Sequence, residues 1–294
     1  MRKLLVLAAI ICLLIGIAAC ISTPKKLTIG FVPSGSPEKM KVDFQPIQLY
    51  LEKTLGVKVD VFIPEDYLGL IEAMKNKKVD IGWYGAFSYI AAESQMKLDP
   101  MVIQSRYGYG TIYHSLIVTR SDSEIHTVED LQGKSFAFVD KGSTSGFVVP
   151  MALFKSRDLD YEQYLGDTIF SGSHDAVFND VMSKKANAGA MDDLTLGKKI
   201  DTGEIKVDDI RIIWKSNDIP GSPFVARADL NSKLKNRFKT AMIQLNQKAP
   251  AAIKAFDSKT EKYIPFEPSM YNEIRNIATL LGNDYIRTNF LQKK

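Results

Sequence analysis

The segment Lys141-Gly-Ser-Thr-Ser-Gly-Phe147 stands between two apolar runs, Ser135-Phe-Ala-Phe-Val139 and Phe147-Val-Val-Pro-Met-Ala-Leu-Phe154. The first run reads as a buried strand and the second as a helix start, so the Ser/Thr/Gly segment falls at a strand-to-helix junction. Helix N-termini leave backbone N–H groups unpaired and carry positive partial charge. Hydroxyls donate to anion oxygens without adding charge, and glycine lets the backbone come close. Two readings fit: a helix cap, or a cradle for a small tetrahedral oxyanion. A P-loop is excluded because G-x-x-x-x-G-K-[ST] is absent. A nucleophile elbow is excluded because Thr144 occupies the serine position of G-x-S-x-G.

Working outward, the 294-residue chain has room for one large core or two modest ones. Its formal net charge is +4, with Arg2 and Lys3 in the leader. The charges are interspersed along the chain, which gives no case for nucleic acid. Arg2 and Lys3 precede an apolar run from Leu4 to Ala19, ending Ile17-Ala-Ala-Cys20. This is the pattern of a secretory signal peptide. Cysteine directly after Ala18-Ala19 resembles a bacterial lipobox, which implies cleavage before Cys20, acylation there and a membrane-tethered, extracytoplasmic domain. Cys12 leaves with the leader, so the mature domain has no intrachain disulfide and no thiolate metal site.

Residues 21–26 form a short linker. Leu27–Val32, Val57–Phe62 and Val79–Tyr84 read as strands alternating with helices at Phe44–Leu55, Leu68–Asn76 and Gly85–Gln95. The β-α-β-α-β-α order predicts a parallel sheet with helical crossovers. Strands follow at Met101–Gln104 and His114–Thr119. The pattern then restarts, with Ile169-Phe170, a helix from Asp175 to Lys184, Ala186–Met191, Ile210–Trp214 and Phe224–Arg227. The remainder, from Asn231 to Leu291, reads as mostly helical, packed back on the first lobe. The fold class is α/β with two lobes and a ligand crevice between them. The predicted organisation is a signal peptide over 1–19, lipidated cysteine and linker over 20–26, lobe one over 27–120 plus 223–294, and lobe two over 121–222.

Besides the central loop, Pro64-Glu-Asp-Tyr67, Gly82-Trp-Tyr-Gly85 and Gly172-Ser-His174 end strands with polar or aromatic residues. Tyr67 and Tyr84 offer phenolic donors, or else ordinary packing. His174 precedes a helix and, protonated, would bring positive charge to a dianion. His114 and His126 read as structural or exposed. No His/Asp/Glu cluster has metal-ligand spacing, and no cofactor is implied.

Taken together, Pro64-Glu-Asp-Tyr-Leu-Gly69, Val79-Asp-Ile-Gly-Trp-Tyr-Gly85, Ser143-Thr-Ser-Gly-Phe147, Gly172-Ser-His174 and Trp214-Lys-Ser-Asn-Asp-Ile-Pro-Gly-Ser-Pro223 resemble the phosphate/phosphite/phosphonate-binding proteins of bacterial ABC importers. The resemblance implies a type II periplasmic-binding-protein fold, no catalysis, and an ABC permease with its ATPase as partner. It also implies that Tyr67, Tyr84, Ser143, Thr144, Ser145 and His174 hold the PO3 group, with no metal.

Family members that take aminoalkylphosphonates place carboxylates near the ligand's ammonium. Those positions fall here at about Leu194 and at Ser222, and neither is acidic. A cationic substituent would lack its counter-charge, so the expectation is phosphite, phosphate or methylphosphonate. Asp192 and Asp193 lie just before Leu194; they either cap a helix or turn a carboxylate inward. The alternatives are an aminoalkylphosphonate binder, a sensor-linked binding protein and an exported serine hydrolase.

Overall fold

The computed structural model describes residues 26–290. The expected signal peptide over 1–19 and the acylated Cys20 lie outside the described residues. In chain order, β1 (Lys26–Phe31), α1 (Pro37–Leu55), β2 (Lys58–Phe62), α2 (Tyr67–Lys75), β3 (Ile81–Trp83), α3 (Ala86–Glu93) and β4 (Leu98–Arg106) build most of the first lobe. Next come β5 (Ile112–Tyr113), β6 (Ser115–Arg120), β7 (Phe136–Phe138), a π-helical turn Thr144–Val148, α4 (Val149–Ser156) and α5 (Tyr161–Tyr164). They are followed by β8 (Thr168–Phe170), α6 (His174–Met182), β9 (Ala188–Asp192), α7 (Asp193–Asp201), β10 (Ile210–Lys215) and β11 (Ile219–Pro220). The chain closes with β12 (Pro223–Arg227), α8 (Ser232–Lys248), α9 (Pro250–Phe256), β13 (Thr260–Pro265), α10 (Asn272–Leu281) and α11 (Asn283–Phe290).

The strands form a six-stranded sheet, β13-β4-β12-β3-β1-β2, and a five-stranded sheet, β10-β6-β9-β7-β8. Both are mixed. β2, β1 and β3 run parallel, as the alternating pattern predicts, while β12 lies antiparallel to β3 and β4. A two-stranded ribbon of β5 with β11 carries the chain from one sheet to the other.

That ribbon moves the first lobe boundary. The strand at Ser115–Arg120, expected in the first lobe, pairs with β9 and β10 in the second sheet. The outward crossing therefore lies at Ile112–His114, before the strand and not after it. A ribbon strand of two residues has no readable period, so the sequence pattern showed only the longer strand beyond it. The return crossing falls at Gly221–Ser222, just before β12.

Local chemistry explains the elements. Ser36 caps α1 by accepting from Lys39 N at 3.5 Å, and a proline opens its first turn. Gly56, at φ +64°, ends it in the left-handed region. The helix starts seven residues before the expected Phe44 because its first turns are polar and carry no apolar period. Asp66 caps α2 through Gly69 N at 2.6 Å. Leu27, Ile29 and Phe31 of β1 pack with Phe44, Ile47 and Leu51 of α1 in one core.

The C-terminal region differs from the mostly helical expectation in two ways. Thr260–Pro265 is an edge strand on β4, and α10–α11 pack on both lobes. Tyr285 Oη donates to Lys141 O at 2.8 Å, Lys155 Nζ donates to Leu280 O at 2.6 Å, and Tyr285 lies against both Phe87 and Phe147.

Candidate functional site

A cleft of about 700 Å³ lies between the lobes, and Tyr67, Tyr113, Ser143, Thr144, Ser145 and His174 line it. The N-termini of α2, α3, α6 and the π-helical turn come to this cleft, each with unpaired N–H groups.

The central loop is held by its own chemistry. Ser143 Oγ accepts from Gly146 N at 3.1 Å, so Ser143 is a helix cap, as one reading expected. Pro150 lacks the N–H that would reach back to the preceding turn. The carbonyls this leaves find other donors: Gly146 O accepts from Val139 N at 3.1 Å and Ser145 O from Ser115 Oγ at 2.6 Å. Val148 N instead reaches Ser143 O at 3.0 Å, the wider π-helical step. Gly146 is required because a Cβ there would overlap the Val139 side chain. Ser143, Thr144 and Ser145 are all buried.

Two tyrosines face this loop, but not the two expected. Tyr67 opens α2, and its phenol is hydrogen-bonded with Ser143. Burial first, then the Asp140 carboxylate, push its pKa well above the usual phenol value. The second is Tyr113, from the hinge ribbon. Burial and then Asp192 raise its pKa, against hydrogen bonds with Thr144 and Ser145 that lower it. Both phenols therefore stay protonated donors at neutral pH.

Tyr84 is a correction. Its ring lies against Gly82 and Met74, and its hydroxyl donates to Leu70 O at 3.4 Å inside the first lobe. Successive residues of a strand point to opposite faces, so Trp83 lines the cleft and Tyr84 turns into the core.

His174 opens α6 after Gly172, whose φ is +87°, and the cap Ser173, which accepts from Ala176 N at 3.2 Å. Its Nδ1 accepts from Asp192 N at 3.1 Å, and its Nε2 lies 3.1 Å from Asp192 Oδ2. An accepting Nδ1 leaves Nε2 as the donor, so in this arrangement the ring contributes a neutral N–H and not the positive charge expected of it.

Asp192 satisfies both readings offered for it. Oδ1 caps α7 through Thr195 N at 2.5 Å, while Oδ2 sits on His174 within the cleft wall. The carboxylate of Asp193 turns toward the hinge, bound to His114 N at 3.0 Å and His114 Nδ1 at 2.7 Å. His114 Nε2 lies 3.1 Å from Asp218, so this histidine is a buried hinge bridge between two carboxylates. Leu194 and Ser222 both line the cleft.

The lobes touch across the site. Phe87 N donates to Thr144 Oγ1 at 2.8 Å, and His174 N donates to Ser34 O at 3.1 Å. At the cleft mouth, Lys259 pairs with Asp201 at 2.7 Å and Lys198 with Asp43 at 3.6 Å. Among the described residues, no group of three or more His, Cys, Asp and Glu is arranged to hold a metal ion. No described helix is long and apolar enough to cross a membrane.

Comparison with known proteins gives the following. Residues 29–271 match the family model described as "ABC transporter, phosphonate, periplasmic substrate-binding protein". The chain is 28% identical to the phosphate-import protein of Mycolicibacterium smegmatis over 286 residues, covering 89% of this chain and 87% of that one. It is 30% identical to the phosphonates-binding periplasmic protein of Escherichia coli over 218 residues, covering 72% and 64%. Its fold superposes with a TM-score of 0.79 on a Prochlorococcus marinus protein solved with methylphosphonate, at 22% identity, covering 88% of this chain and 98% of that one.

Proposed function

The chain belongs to the periplasmic substrate-binding proteins of phosphonate ABC transporters, and from that premise we propose that its cleft holds a small phosphorus oxyanion through Tyr67, Tyr113, Ser143, Thr144, Ser145 and His174. As a member of that family it is the extracytoplasmic substrate-binding component of an ABC importer, a class that binds without chemical turnover. The observation that carries the site assignment is the convergence of these donors, from both lobes and the hinge, on one cleft.

In the proposed mechanism the hydroxyls, phenols and helix N-termini replace the anion's hydration shell. Ligand contacts made from both lobes at once differ between the open and closed forms, and only such contacts drive closure. The closed form is what the permease and its ATPase would recognise. Asp192 would accept the proton of a protonated oxyanion, which a fully unprotonated anion such as sulfate cannot offer. The ligand's substituent would not be cationic, since Leu194 and Ser222 supply no counter-charge. The Mycolicibacterium relative is named for phosphate import and the Prochlorococcus structure holds methylphosphonate, which supports a ligand of this size. Cys20 would carry the lipid that tethers the protein to the membrane.

Calorimetric titration at neutral pH with phosphite, phosphate, methylphosphonate, 2-aminoethylphosphonate and sulfate tests this reading. One of the first three should bind tightly, with the last two weak. Tight binding of 2-aminoethylphosphonate would overturn the argument from Leu194 and Ser222, and failure of every phosphorus compound would overturn the site.

A further inference from the structure

Two donors in the cleft wall have nothing to donate to. Trp83 Nε1 and Arg106 Nη1 are buried, and neither has a hydrogen-bond partner among the described residues. Both side chains line the same cleft as the Ser143–Ser145 loop. The rest of the Arg106 guanidinium is anchored: Nε donates to Asp257 Oδ2 at 3.0 Å and Nη2 to Gln104 Oε1 at 2.9 Å. Arg106 as a whole is only 5% exposed. The Trp83 ring packs against Phe256, the neighbour of Asp257, with ring centroids 6.3 Å apart. The two donors thus flank one corner, at the end of α9. They come from β3 and β4, which both lie antiparallel to β12 and so end on the same edge of the sheet.

A buried donor left unpaired costs about 1–3 kcal/mol, and two in one wall of a ligand cleft call for a shared acceptor. We propose that this wall is a second subsite, which takes an oxygen acceptor on the ligand's substituent, and that it selects phosphonates ending in a carboxylate. The proposal rests on the phosphoryl-head reading above. Arginine and tryptophan nitrogens donate and do not accept, whereas a carboxylate accepts and does not donate. An ammonium, which only donates, has no partner here. A methyl substituent leaves both N–H groups unpaired. Asp257 already offsets the guanidinium charge through Nε, so the outer Nη1 is held in place by its neighbours and offered to the ligand.

The test titrates the wild-type protein with methylphosphonate, phosphonoformate, phosphonoacetate and 3-phosphonopropionate. At least one carboxylated compound should bind about tenfold tighter than methylphosphonate, the worth of one charge-assisted hydrogen bond. The chain length that binds best reports the span between the two subsites. Arg106→Met and Trp83→Phe should each lower the ratio of carboxylated to methyl affinity about tenfold. Trp83→Phe keeps the ring and removes only the N–H, so it decides the matter if Arg106→Met fails to fold. Tight methylphosphonate binding with no gain from a carboxylate overturns the subsite and leaves the phosphoryl site standing. An unchanged ratio in Trp83→Phe overturns it too. Failure of all four compounds overturns the phosphoryl-head reading and the subsite with it.

Discussion

The Phe87 N–H donates to Thr144 Oγ1 at 2.8 Å, so the first turn of a helix in one lobe is capped by the binding loop of the other. Closure therefore satisfies a donor that helix geometry leaves unpaired. Thr144→Val keeps the shape and removes the oxygen. The buried N–H then costs about 1–3 kcal/mol in the closed form, so oxyanion affinity should fall about tenfold or more. Thr144→Ser should retain most of it. Calorimetry measures the affinity, and small-angle scattering with saturating ligand measures the closed fraction. Wild-type affinity and closure in Thr144→Val would refute the role.

Tyr113 and Tyr84 make opposite predictions. Tyr113→Phe removes a phenol that faces Thr144 and Ser145, and should weaken oxyanion binding about tenfold, near the upper range for a hydrogen bond to a charged group. Tyr84→Phe removes only the bond to Leu70 O, so affinity should hold while stability falls by about 1 kcal/mol. Calorimetry paired with thermal melts separates the two effects. A large affinity loss in Tyr84→Phe would return that residue to the ligand.

The contrast between these tyrosines shows where sequence reasoning stopped. The capped helices, the strand before the central loop and the loop itself were legible, because each has a local signature: Asp66 before α2, Ser173 before α6, the Phe-Ala-Phe run of β7. Tyr113 was not, because its two-residue strand has no period and finds its partner a hundred residues on, at Ile219. The available signal was weak: an aromatic immediately before a β-branched, apolar strand near a lobe crossing. Tyr84 misled because three residues of β3 do not settle which face each side chain takes. β13 was missed because Thr-Glu-Lys-Tyr-Ile-Pro is a polar edge strand, with its proline at the end where it breaks no ladder bond.

Asp140 gives a pH test of stability. Burial raises its pKa above the ordinary carboxyl value, against N–H bonds from Gly142 and Tyr67 that lower it. A carboxyl raised on folding binds its proton more tightly in the native state. Its contribution to stability therefore falls as pH rises from the ordinary carboxyl value through the raised one, and is level above that. Asp140→Asn should abolish this fall. The difference in melting temperature between variant and wild type should grow with pH across that acidic window; a constant difference would sink the assignment.

Gly146 sets the shape of the binding loop. A methyl group there would meet the Val139 Cβ at 2.5 Å, so one of the two segments must move. Overpacking of this kind costs about 1–3 kcal/mol. Gly146→Ala should lower the melting temperature by several degrees, about 2–4 °C per kcal/mol at this size. Oxyanion binding should fall with it, because the shifted loop carries Ser143, Thr144 and Ser145. An unchanged melt would mean that Val139 yields freely and the loop is not tightly set.

Asp192 bears on which anions are accepted. Its Oδ2 lies on His174 Nε2, and its Oδ1 is committed to capping α7. An oxyanion carrying a proton can donate it to Oδ2, while sulfate meets only carboxylate repulsion. Asp192→Asn keeps the cap acceptor and replaces a charged acceptor with an amide. It should narrow the gap between phosphite and sulfate by about tenfold, through weaker phosphite binding and stronger sulfate binding together, the worth of one charge-assisted bond. The check is a paired titration of both anions at neutral pH, with melts to confirm that α7 stays formed. Equal losses for both anions would mean that Asp192 positions His174 and does not read the ligand's proton.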